Sequence, residues 1–280
     1  MTHGRPVRVI LVGGHESADG ADLARIAGHL DNTVSAKPGR AFHNTVVASL
    51  EADETVVVVP MTFGRNPTMV ADVAKTLKWL APKYPRQIAL AESFGRVDHL
   101  TAWLRAAANR AAAGGGSCAL LIVAAPSNPF DEAELHRIAY LVATHGALDE
   151  VGVAIAGDEP GLRRAVERQR RLSVERVVTV PVGFAMALPE AGAEFAGPLM
   201  SEAAIIRVVG DRVADAVTAL GQGVDGIDSG LGADHGHGYA HSHAFEESQG
   251  IAHQHGNSAP HAHYHPNGVT HTHAHIHDHH

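Results

Sequence analysis

Along most of the chain, short runs that are almost wholly apolar alternate with longer stretches whose apolar residues return every three or four positions. The first kind of run suits a strand buried on both faces of a parallel sheet, the second an amphipathic helix lying on such a sheet. Val7–Val12 and Thr55–Pro60 read as strands, the latter (TVVVVP) strongly β-branched, and Gln87–Ala91 reads as a third. Between and after them, Ala21–Leu30, Ala41–Leu50 and Val97–Ala113 carry helical spacing, and Asn66-Pro67 opens a helix to about Tyr84. Asn66 stands where an N-cap belongs, and Pro67 at the first helical position, where a missing N–H costs nothing. Such alternation predicts an α/β fold with helices covering a parallel sheet.

After a flexible break at Gly114–Gly116 the series begins again. LVGGHESADGADLARIAGHL, from Leu11, is echoed by LIVAAPSNPFDEAELHRIAYL, from Leu121. VVVVPMTFG (Val56–Gly64) is echoed by VVTVPVGFA (Val177–Ala185), and SFGRVDHLTAWLRAAANRA, more loosely, by PLMSEAAIIRVVGDRVADA. Pro60 and Pro181, then Phe63 and Phe184, recur at identical offsets after their strands. Any two α/β units share a hydrophobic pattern, but recurrence in order and at fixed offsets favours an internal duplication. The expected organisation is two similar α/β/α lobes with parallel sheets, residues 1–116 and 117–220. From Gly221 the chain turns to Gly, His, Ser, Asp and Pro with few large apolar groups. Such a composition buries too little surface to fold alone, so residues 221–280 are expected to be a disordered tail.

The length of 280 residues fits two lobes and a tail. No apolar export segment follows the first residues, and the longest apolar stretches, Val56–Val59 and Cys118–Ala125, fall far short of the roughly 20 residues a membrane span needs. A cytoplasmic protein with no membrane association is therefore expected. The one cysteine, Cys118, excludes an internal disulfide and an iron–sulfur cluster held by a single chain, and its apolar strand makes it a small core residue. A formal charge of −8 argues against nucleic-acid binding. The 22 histidines will carry that charge towards positive as pH falls. No organic cofactor is evident, since Gly13-Gly14-His15 lacks the spaced glycines of a phosphate-cradling loop. Self-association into a homo-oligomer is left open.

In open parallel sheets, ligands bind beyond the carboxyl ends of the strands. That rule gathers His15, Glu16, Arg65, Asn66, Glu92 and Arg96 from the first lobe, and Ser127, Asn128, Asp158, Phe184 and Met186 from the second. His15 leads the set, because imidazole is both a metal ligand and a base near neutral pH. The corresponding second-lobe turn, AAPSNP, has no histidine, as a demand of packing alone would not predict. Glu92, at the end of a strand, is a candidate metal ligand or proton acceptor. Arg40, Arg65 and Arg96 are candidates to receive substrate carboxylates through bidentate guanidinium contacts, with Asn66 and Ser127 beside them.

The tail holds fifteen of the histidines, many spaced His-x-His: His235, His237, His241, His243, His253, His255, His261, His263, His265, His271, His273, His275, His277 and His279, with His280 last. In an extended chain that spacing puts alternate imidazoles on one side, where neighbours can share an ion. Imidazole-rich sites suit Ni²⁺, Cu²⁺, Zn²⁺ and Co²⁺. The interleaved Thr, Ala, Ser, Asn and Asp distinguish this stretch from an affinity tag.

VRVILVGGHES, TVVVVPMTFG, IVAAPSNPFDEAELHRIA and VGVAIAGDEPGLRRAVERQRRLSVERVVTVPVGF, in that order, resemble the class II tetrapyrrole metal chelatases, the sirohydrochlorin cobaltochelatase and ferrochelatase group, over roughly residues 7–220. The resemblance implies two similar lobes facing across a cleft and a lyase that inserts Co²⁺, Fe²⁺ or Ni²⁺, as substrate, into a flat acidic tetrapyrrole. It matches His15 to the family's first histidine, in Gly-His-Glu-Ser where the usual pattern is Gly-His-Gly-Ser. At the second family histidine, Gly64-Arg65-Asn66 stands instead, so Asn66 replaces it, and asparagine is a poor ligand for cobalt or nickel beside imidazole. His99 lies near a further family position, offset by two residues. Two functions follow: insertion of Co²⁺ first of all, or Fe²⁺ or Ni²⁺, into a sirohydrochlorin-like macrocycle in cobalamin or siroheme-type biosynthesis, or non-catalytic metal storage or delivery on a chelatase-like fold.

Overall fold

Two four-stranded sheets, each wholly parallel, organise the chain in a computed structural model that describes residues 5–148, 150–233, 262–264 and 270–272. The first sheet takes β1 (Val7–Gly13), β2 (Thr33–Ala36), β3 (Thr55–Met61) and β4 (Ile88–Leu90) in the order β2-β1-β3-β4. The second takes β5 (Cys118–Ala124), β6 (Val151–Ile155), β7 (Arg176–Pro181) and β8 (Glu194–Phe195) in the order β6-β5-β7-β8, the same topology. The register repeats as well: Pro60 pairs with Val12 in the first sheet, and Pro181 with Val123 in the second. An equal strand order with prolines at equivalent rungs is what a duplicated ancestor would leave.

Helices α1 (Ala24–Gly28), α2 (Arg40–Glu51), α3 (Pro67–Leu80), α4 (Val97–Ala113), α5 (Pro129–His145), α6 (Glu159–Arg170), α7 (Glu202–Gly221) and α8 (Ile227–Leu231) complete the core. Because side chains alternate across a strand, each sheet buries two faces. Val9, Leu11, Val57 and Val59 of the first sheet and Leu120, Ile122, Val178 and Val180 of the second line one continuous core. The opposite faces, through Ile10, Val12, Val56 and Val58, and through Leu121, Val123 and Val177, pack on separate helical layers. Cys118 is buried in β5.

The sheets fall on either side of the 116/117 boundary, but the helices cross it. Helix α4, which follows the first sheet in the chain, packs on α5, β5 and β7, whereas α7, which follows the second, packs on β3, β4 and α1. These are the helices of the loosest sequence repeat, and each packs on the sheet of the other half.

Several elements differ from expectation. In place of a helix over Ala21–Leu30 stands a kinked 3-10 segment, His15–Leu23, followed by the short α1, and Ala18, Asp19 and Gly20 all have left-handed backbones. The edge strand β2 carried no clear apolar run and went unpredicted. Residues 221–233, expected within the disordered tail, are folded. Asp225 accepts a 2.8 Å hydrogen bond from the Leu90 N–H, Ile227 is buried among Val73, Leu77 and Ile88, and Lys78 pairs with Asp228 at 2.6 Å. This strap covers the free edge beside β4, a segment whose own sequence is too polar to advertise a core role.

In a separate C-terminal unit, β9 (Ala262–Tyr264) and β10 (Thr270–Thr272) pair antiparallel with His263 opposite His271. The remaining tail histidines, His235, His237, His241, His243, His253, His255, His261, His265, His273, His275, His277, His279 and His280, lie outside the described residues, as does the expected disorder there.

Candidate functional site

The loop after β1 meets the loop after β3 at the carboxyl ends of both strands. Gly14 permits that approach: a Cβ there would sit 2.3 Å from the Asn66 amide nitrogen. Asn66 itself caps α3, its side-chain oxygen accepting from the Met69 N–H at 3.2 Å with Pro67 next in line. Asn66 therefore has a defined structural task.

Glu16 is the hub of the junction. Its carboxylate accepts hydrogen bonds from the Thr62 hydroxyl and, at 3.0 Å, from the Phe63 N–H, while its main-chain carbonyl accepts from the Phe184 N–H at 2.9 Å. Both halves thus close on one residue. Phe63 and Phe184, the repeated pair, stack with ring centroids 5.0 Å apart, and Phe94 packs edge-on against both. Gly183, with φ +123°, leaves room for the Glu16 carbonyl, which a Cβ would meet at 2.1 Å. Burial pushes the Glu16 carboxyl above the usual range, against the opposing pull of the Arg65 guanidinium and of its two hydrogen bonds.

Beside Glu16 lie two more buried polar residues, Arg65 and Asp131, and the half-buried His15. Arg65 is 1% exposed. It donates one 3.4 Å hydrogen bond to the Asp131 carbonyl, and its Nε and second terminal nitrogen have no hydrogen-bond partner. The Asp131 carboxylate, at the start of α5, accepts from the Asn128 amide at 2.6 Å, and the Asn128 oxygen caps the helix by accepting from the Phe130 and Asp131 N–H groups. His15 places Nδ1 3.8 Å from an Asp131 carboxylate oxygen, and its Nε2 is buried without a hydrogen-bond partner. Burial first, and the Arg65 charge second, lower His15 to about 4, so the ring is neutral at neutral pH and carries a lone pair. Left-handed non-glycine backbone at Ala18 and Asp19 adjoins this cluster, and strain of that kind gathers at functional sites.

The other candidate residues are elsewhere. Glu92 is largely exposed and pairs with Arg212 of α7 at 3.0 Å. With Arg96 it lines a cavity of about 730 Å³ between β4, α7 and the strap, whose wall includes neither His15 nor Arg65. Arg40 is exposed at the start of α2. Ser127 is half-buried: its N–H donates to Glu132 at 3.0 Å, and its hydroxyl has no hydrogen-bond partner. Asp158 is the exposed N-cap of α6. Asp131 was not a sequence candidate. The signal available was its place in Asn-Pro-x-Asp, three residues after a cap, which reads equally well as ordinary helix-start chemistry. Among the described residues, no three His, Cys, Asp or Glu side chains are grouped to hold a metal ion, and no helix is long and apolar enough to cross a membrane.

No family model matches the chain, and no curated protein does. Among solved structures it is similar to SirB from Bacillus subtilis with Fe3+, at 14% identity over 79% of this chain and 98% of that one, with a TM-score of 0.46. It is equally similar to an ABC transporter solute-binding protein from Conexibacter woesei DSM 14684, at 12% identity over 80% and 83% of the two chains, TM-score 0.46. Another solute-binding protein, from Aeropyrum pernix K1, aligns at 20% identity over 79% of this chain and 60% of that one, TM-score 0.36. These likenesses concern the fold and assign no activity.

Proposed function

We propose that the chain is a cytoplasmic metal chelatase that inserts a divalent ion, Co²⁺ first and Fe²⁺ or Ni²⁺ as alternatives, into a sirohydrochlorin-like tetrapyrrole. One observation carries the reading: a neutral imidazole at the carboxyl end of β1 whose Nε2 has no partner and whose ring lies against a buried carboxylate. An imidazole lone pair suits these ions. Entry of a divalent ion into a free-base macrocycle releases two pyrrole protons, so the site also needs a proton acceptor, a role open to the Asp131 carboxylate beside the ring. The histidine-rich tail collects the ions that the core consumes. The fit of the sequence to the chelatase pattern around His15 supports the same reading.

The test is insertion of Co²⁺, Ni²⁺ and Fe²⁺ into sirohydrochlorin, followed by absorbance, for the intact chain, a chain ending at residue 233, and His15→Ala. Ending at 233 keeps the strap that packs on α3 and β4. Insertion that survives the truncation and disappears in His15→Ala supports the chelatase. A second reading, metal storage or delivery without catalysis, is favoured by Asn66 being engaged as a helix cap and Glu92 being paired with Arg212, which leaves His15 without either expected helper. Binding of several ions by the intact chain, with no insertion above the protein-free control, would establish that alternative.

A further inference from the structure

We propose that the cavity between β4, α7 and the strap binds a small zwitterion with an apolar body, of the kind formed by an apolar amino acid or its dipeptide. The site is independent of the chelatase reading, because its wall includes neither His15 nor Arg65. A volume of about 730 Å³ is ordinary for a small-molecule site. Its place is also an expected one: Leu90 ends β4, and Glu92, Ser93 and Arg96 line the wall beyond that carboxyl end.

The wall changes character along α7, which lines it from Arg212 to Ala219, a rise of about 10 Å. At the Arg212 end the guanidinium pairs with Glu92 at 3.0 Å, and Arg96 stands at the N-cap of α4. Asp215 follows one turn along α7, about 4.5 Å up the axis. Past Asp215 the lining becomes largely apolar, from Ala216 and Ala219 of α7 with Val70, Leu90 and Val224 around them. Val224 is 58% exposed, so this apolar side chain of the strap waits uncovered on the wall.

The charges select the ligand. Of the five charged residues on the wall, Glu92 and Arg212 answer each other, and the Asp225 carboxylate accepts from the Ile227 N–H at 3.0 Å. Arg96 and Asp215 remain, both exposed and neither side chain with a partner among the described residues. A simple anion would leave Asp215 unmatched, and a simple cation would leave Arg96 unmatched. A carboxylate for Arg96, an ammonium for Asp215 and an apolar group for the far end satisfy the whole wall.

The test is isothermal titration calorimetry of the full chain with L-leucine and L-leucyl-L-leucine, whose relative affinities tell the amino acid from the dipeptide. The controls are N-acetyl-leucine, which lacks the cation, and leucine amide, which lacks the anion. At least one zwitterion should bind, and the blocked forms should bind about tenfold more weakly. Arg96→Ala should weaken leucine about tenfold and leave leucine amide unchanged. Asp215→Ala should weaken leucine as much and leave N-acetyl-leucine unchanged. Both residues are exposed, so the variants should melt with the wild type. Glycine, with the same two charges and no apolar body, should bind more weakly than leucine. Absence of heat from both zwitterions at millimolar concentration overturns the proposal, as does a leucine affinity that neither variant alters. A blocked form that binds as tightly as leucine overturns it too.

Discussion

In the first half of the core, the turns after β1 and β3 carry His15, Glu16, Thr62, Arg65 and Asn66. By the shared register, the second half carries Pro126, Ser127, Gly183, Met186 and Ala187 at the equivalent places. Strand order, proline rungs and the Phe63–Phe184 pair are common to both, so the scaffold tolerates either chemistry. What differs is the use of buried space. The first half buries Glu16, Thr62 and Arg65, which satisfy one another incompletely, whereas of its counterparts in the second half only Gly183 is buried, and its missing side chain lets the Glu16 carbonyl dock. Of the two sets of turns, the first is the polar one, and the second half contributes Asp131 to it from the helix after β5.

The sharpest way to break this complementarity is at Gly183. Gly183→Ala places a methyl group against the Glu16 carbonyl on a left-handed backbone, and should cost about 4 kcal/mol, lowering the melting temperature by roughly 10 °C. Circular dichroism against temperature reads it, and a shift near zero would mean the halves do not close on Glu16.

A second contrast lies at the sheet edges, where β4 is covered by the strap and β8 is not. Ile227→Ala should cost about 3 kcal/mol in denaturant unfolding, and truncation after Leu220 at least as much. Phe195→Ala, at the exposed end of β8, should cost far less.

The polar socket also has a pH signature. His15 is lowered from 6.5 to about 4 on folding, so the unfolded chain binds more protons between those values. Stability from this group is complete above pH 6.5 and is lost as pH falls towards 4, by about 3 kcal/mol relative to His15→Gln, which has no such titration. Glu16 acts with the opposite sign: its raised value means the folded state holds the proton more tightly, so stability falls as pH rises above the ordinary carboxylate range. Glu16→Gln should remove that decline. Paired unfolding curves across pH 4–8 separate the two.

A smaller effect than at Gly183 or Ile227 is expected at Thr62, whose counterpart is Gly183. Thr62→Val removes the hydroxyl that donates to Glu16 and should cost about 2 kcal/mol, much of it from leaving a buried carboxylate short of a donor. Equal costs for Thr62→Val and Thr62→Ser would show that the hydroxyl is not what matters there.

Much of this was legible along the chain. Apolar runs marked β1, β3 and β5, helical spacing and turn signals bounded α4 at Val97–Ala113, and Asn66-Pro67 marked the start of α3, because each of these signals is local. His15 stood out for the same reason: a histidine after two glycines at a strand end is visible without knowing its neighbours. Glu92 looked equally promising on that rule, yet it lies at an exposed strand end and pairs with a helix returning from the second half. Strand-end position selects candidates but cannot tell a buried one from a solvated one.

The sequence by itself determined the two runs of strands and helices, their repetition and the buried cysteine, since side-chain period, capping and composition act over a few residues at a time. Only the tertiary structure decided that α4 and α7 change sheets, that a polar strap seals β4, that Arg65 is buried among carboxylates, and that Asp131 faces His15. These depend on which distant segments share one desolvated volume. That in turn is set by how two twisted sheets and their exchanged helices close on a common core, a constraint that no local pattern of hydrophobic and polar residues encodes.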